Sequence, residues 1–85
     1  MNIFVMAIGL AGAALTTFSF LPQTIKAIRT KHTKDLSMPM LVMLIAGISL
    51  WVTYGLIIKD IPLIAANSFS LILMITLFFI KRKYG

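Results

Sequence analysis

The sequence predicts an all-α membrane protein, a bundle of three transmembrane helices. Three observations carry that prediction. Hydrophobic residues make up 60% of the chain and charged residues 12%, against about 25% charged in a soluble domain. Mean hydropathy is +1.02. The apolar residues fall into three runs, 3–25, 40–58 and 61–80, each close to the roughly 20 residues a crossing helix needs. A soluble domain of 85 residues would bury too modest a core to hide this much apolar surface. The runs make one domain, 1–85.

The first run extends from Ile3 to Ile25. Met-Asn-Ile at its start carries no basic residue, so a cleaved leader, which needs a positive segment, is not expected. Gly9 with Ala13, and Gly12 with Thr16, form small-xxx-small pairs of the kind that let helices approach closely in lipid. The run closes on Thr16-Thr17-Phe18-Ser19-Phe20-Leu21-Pro22-Gln23. Pro22 removes one helical hydrogen bond and crowds the carbonyl one turn earlier. In lipid that is tolerated where hydroxyls or neighbouring helices satisfy the freed group. Apolar Ile25 and Ile28 beyond it predict a helix that kinks and continues for another turn. The segment reads as the hinge and inner mouth of a transport pathway. Thr16 and Thr17 have a plainer role open to them, bonding back to their own helix.

Lys26, Arg29, Lys31 and Lys34 against Asp35 give the following connection a net charge of +3, and His32 within it reads as a solvated loop histidine. Ser37 fits the N-cap of the second helix, with Pro39 in the first turn, where its missing N–H needs no partner. Lys59-Asp60 makes a short, uncharged turn. Asp60-Ile61-Pro62 then repeats the start signal for the third helix, with Asp60 as cap. Lys81-Arg82-Lys83 ends it at +3. Three spans place the first connection and the tail on one side. The excess of positive charge there puts both in the cytoplasm and the N-terminus outside. The overall net charge of +6 is explained by topology and anionic lipid, not by nucleic acid.

No ionisable side chain lies deep in a span, and cysteine is absent. That leaves no catalytic base, metal cluster or phosphate loop, so no catalytic residue, metal or cofactor is expected and a membrane enzyme is a poor reading. The polar residues point elsewhere. At about 1.5 Å per residue, Trp51 and Asn67 both lie roughly 10 Å from the outer ends of their helices, between the outer face and the midplane of a core about 30 Å thick. An aromatic plate and an amide at one depth suit a neutral polyhydroxylated solute: the ring covers an apolar sugar face and the amide donates and accepts hydrogen bonds. Trp51, Tyr54 and Ile58 share one face, as do Asn67, Ser70 and Met74. Packing for Trp51, interhelical polar contact for Asn67 and an interfacial position for Tyr54 are the alternatives. Three spans are too few to enclose a path, which predicts a parallel homodimer of six helices.

Ser19-Phe20-Leu21-Pro22-Gln23, the basic connection after it, Trp51 with Tyr54-Gly55, and Asn67 together resemble the bacterial SemiSWEET sugar transporters of the PQ-loop family, over nearly the whole chain. The resemblance implies a homodimer in the bacterial inner membrane, with the third helix packed between the first and second (order 1-3-2). It implies facilitated passage of mono- or disaccharides by alternating access. Carried over, Trp51 and Asn67 of both copies hold the sugar at the dimer axis. Pro22 is the hinge, Phe20 and Gln23 lie near the inner gate, and Tyr54 and Asp60 contribute to the outer gate. Some members pair the outer aspartate with an arginine one turn from the tyrosine; here Ile58 stands at that position and Lys59 is the nearby base. A carrier of another small solute, such as an amino acid, and a non-transporting partner subunit are the competing readings.

Overall fold

The computed structural model describes residues 2–85; Met1, part of the leader argument, lies outside them. The described residues form three helices: α1 (Ile3–Thr30), α2 (Met38–Ile58) and α3 (Ile61–Tyr84). Each is long and apolar enough to cross a membrane.

Local chemistry sets the helix starts. Asn2 caps α1, its side chain accepting the Val5 N–H at 2.8 Å. Ser37 caps α2 through the Met40 N–H at 3.1 Å, and Asp60 caps α3 through the Leu63 N–H at 3.2 Å. Each side chain satisfies one of the backbone donors that a helix start leaves without an internal partner. Pro39 and Pro62 sit in first turns. Pro22 lies inside α1 and the helix continues past it to Thr30, further than the apolar run itself. Lys31 and Lys59 terminate α1 and α2 in the left-handed conformation, with φ of 56° and 60°. The Asp60 N–H then closes the second turn on the Gly55 carbonyl at 2.9 Å.

α3 packs against both α1 and α2, which do not meet each other, so the order across the bundle is 1-3-2. Two glycines set the spacing at the start of α3. A Cβ on Gly9 of α1 would lie 3.0 Å from the Pro62 ring, and one on Gly55 of α2 would lie 3.1 Å from Ile64. Gly12 behaves differently from the packing role its spacing predicts, because no atom approaches its Cβ position. The contrast gives a prediction. Gly9→Val should lower stability by about 1–3 kcal/mol through overpacking against a rigid ring, whereas Gly12→Ala should raise it by up to about 1 kcal/mol through helix propensity alone. Thermal unfolding of the detergent-solubilised variants checks this.

Protein interior is scarce. Leu41 and Leu77 are the buried hydrophobic residues, at 1% and 4% exposure; most other large apolar side chains face outward, as lipid or a partner requires. The connection between α1 and α2 is nevertheless tied down. Lys81 donates from Nζ to the carbonyl of buried Thr33 at 3.0 Å, and the Lys31 and Lys83 ammonium groups lie 5.0 and 5.4 Å from the centre of the Tyr84 ring.

Candidate functional site

Asn67 and the Trp51–Tyr54 pair lie on two separate surfaces. The first is a groove of about 370 Å³ between α1 and α3, walled by Ile8, Gly9, Gly12, Ala13 and Thr16 on one side and by Pro62, Leu63, Ala66 and Asn67 on the other, with Asp60 at the end where α3 begins. Its size is within the range of small-ligand sites. It exists because α1 presents small residues where α3 presents Asn67. Asn67 is half-buried and donates from Nδ2 to the Leu63 carbonyl at 2.9 Å, which leaves its second N–H and its Oδ1 for another partner.

Of the hydroxyl pair and serine before Pro22, Thr16 and Ser19 bond to their own helix. Thr16 donates to the Gly12 and Ala13 carbonyls at 3.0 and 3.1 Å, and Ser19 to the Thr16 carbonyl at 2.6 Å. With its hydrogen engaged, each hydroxyl oxygen offers lone pairs only. With the Thr16 oxygen, Asn67 Oδ1 and the Asp60 carboxylate on its wall, the groove is richer in acceptors than in donors, and Asp60 is its one charged wall group among the described residues. A neutral solute with many O–H donors matches that inventory better than a carboxylate does.

The second surface lies on α2. Trp51 and Tyr54 line a hollow of about 510 Å³ with Gly47 and Leu50. Their rings meet edge to face, centroids 5.6 Å apart and planes at 88°, a favourable arrangement for two quadrupoles. Both remain open, Trp51 at 54% and Tyr54 at 50% exposure, and no atom stands near the Cβ position of Gly47. Within one chain Trp51 and Tyr54 thus line the hollow on α2, while Asn67 and Asp60 line the groove between α1 and α3.

At the other end, Pro22 and Gln23 are exposed and Phe20 is half-buried. Gln23 lines a hollow with Lys26, Ala27, Thr30 and His32, and His32 is exposed. Pro22 has no N–H for the Phe18 carbonyl. Thr24, two residues on, is buried and donates to the Phe20 carbonyl at 3.0 Å. Sequence reasoning passed over Thr24; a hydroxyl close behind an intrahelical proline is the signal that could have found it. Gly12 lines the groove wall within the chain.

The family model for the PQ loop repeat matches residues 4–64. The chain is 44% identical over 78 residues to the sugar transporter SemiSWEET of Leptospira biflexa serovar Patoc, covering 92% of each. It is 38% identical over 78 residues to the sugar transporter SemiSWEET of Bradyrhizobium diazoefficiens, covering 92% of this chain and 91% of the relative. A crystal structure of SemiSWEET in the inward-open conformation superposes with a TM-score of 0.93 at 34% identity, over 96% of this chain and 88% of that one.

Proposed function

The chain belongs to the PQ-loop family, and from that premise we propose that it carries small neutral sugars across the bacterial inner membrane as a parallel homodimer. Asn67 supports this reading most directly: an amide with free hydrogen-bonding capacity, in a groove lined by small and aliphatic residues and acceptor oxygens, with no cation among its described lining. A sugar hydroxyl donates to Asn67 Oδ1 and to the lone pairs beside it.

Trp51 supports the dimer. Its ring stands half in the open on a face of α2 that the chain's own helices leave uncovered. A second copy brings Trp51 and Asn67 of both protomers around one axis, so that aromatic plates cover the sugar rings while amides bind their rims. The N-terminus is outside, and the connection at 31–37 and the α3 end are cytoplasmic, as the charge bias directs. Bending about Pro22 opens the inner mouth at Phe20 and Gln23 while Tyr54 and Asp60 close the outer one. The reversed bend exposes the site to the other side.

Uptake of radiolabelled sucrose and glucose into proteoliposomes containing only this chain tests the proposal. Sugar uptake that saturates and runs in both directions is expected. A folded homodimer that moves an amino acid and neither sugar would assign a different solute. A chain that forms no homodimer would be a partner subunit.

A further inference from the structure

Along α1, Phe4, Ile8, Leu15 and Phe18 form one stripe, each at least 69% exposed, at spacings that keep them on one helix face. Gly9, packed on Pro62 of α3, and buried Thr24 lie on another side. The stripe continues into Pro22, Ile25 and Arg29, which with Lys26 and Thr30 line a groove of about 400 Å³. A bulky apolar track therefore ends in a pocket with an apolar wall and two cations. The pocket shares no residue with the groove that holds Asn67, although Ile8 of the track borders that groove.

Charge is concentrated at the same end. Lys59 and Asp60 cancel at the opposite turn, so the whole net charge of +6 resides here. Thr30 donates its hydroxyl hydrogen to the Lys26 carbonyl at 2.7 Å and has none for an anion, which leaves anion binding to Lys26 and Arg29. A guanidinium matches a phosphate with two parallel N–H bonds, and a lysine stem lies along apolar surface while its ammonium reaches the headgroup level.

We propose that this groove seats one anionic phospholipid, its acyl chain along Leu15 and Phe18 and its phosphate between Lys26 and Arg29. The anionic leaflet on the cytoplasmic side supplies the complementary charge. A headgroup carrying its own ammonium brings a third cation to the pair and is disfavoured.

Native mass spectrometry of the full chain, with equal phosphatidylglycerol and phosphatidylcholine, tests the site. One phosphatidylglycerol per chain should be retained, with roughly tenfold preference over phosphatidylcholine. Lys26→Gln with Arg29→Gln should abolish the preference. Lys34→Gln with Arg82→Gln, which removes equal charge from the same end, should keep it. No preference in the unaltered chain, or equal loss in both double variants, would overturn the site. Displacement of the lipid by millimolar glycerol phosphate would also overturn it, in favour of a soluble anion. The comparison of the two lipids on the unaltered chain stands even where a double variant fails to fold.

Discussion

Proteoliposomes containing the Asn67→Ala chain should take up neither sucrose nor glucose above the protein-free background. Leaving a desolvated sugar hydroxyl without its partner costs about 1–3 kcal/mol. A homodimer loses the partner twice, so affinity should fall on the order of a hundredfold. The fold should survive. Asn67 bonds to Leu63 within its own helix, and alanine is the better helix former by some tenths of a kcal/mol. Trp51→Ala should have a similar effect on uptake, because its half-exposed ring contributes little to the protomer interior. Size-exclusion elution as a normal dimer, beside lost uptake, is the expected pair of results for both variants. Normal uptake in either variant would reduce that residue to packing.

Pro22→Ala should slow exchange about tenfold while binding remains. Alanine supplies the N–H that the Phe18 carbonyl lacks and favours a straight helix by about 3 kcal/mol. If half of that must be overcome at each bend, the rate falls by about a factor of ten. Trp51 is the sole tryptophan, so its emission can follow sugar binding separately from flux. Unchanged titration with slowed exchange is the hinge signature. Pro22→Gly removes the ring yet leaves the backbone pliable and should exchange faster than Pro22→Ala. Exchange at the original rate in Pro22→Ala would move the bend elsewhere.

Features governed by neighbouring residues were legible in the sequence. Ser37 before Pro39 and Asp60 before Pro62 mark helix starts because a cap needs only the next three residues, and the structure places both caps there. The C-terminal end of α1 was less legible. Hydropathy falls after Ile25, but the backbone stays helical to Thr30 because lysine and arginine are good helix formers. Gly9 and Gly12 carry the same spacing signal, yet one meets the Pro62 ring and the other meets nothing; only the direction of α3 separates them. The Lys81 bond to Thr33 joins residues 48 apart in sequence, beyond any local pattern. Trp51 and Asn67 were legible as residues at one depth. That they line separate surfaces of a single chain follows from Asn67 facing α1 while Trp51 stands on an open face of α2, directions that periodicity does not encode.

Three crossings also limit how the chain can be engineered. An odd number of spans leaves residue 3 and residue 84 on opposite faces of the bilayer. A short linker joining the end of one copy to the start of the next would force the second copy in upside down. A tandem, single-chain version with both halves in the same orientation therefore needs one additional crossing segment as its linker.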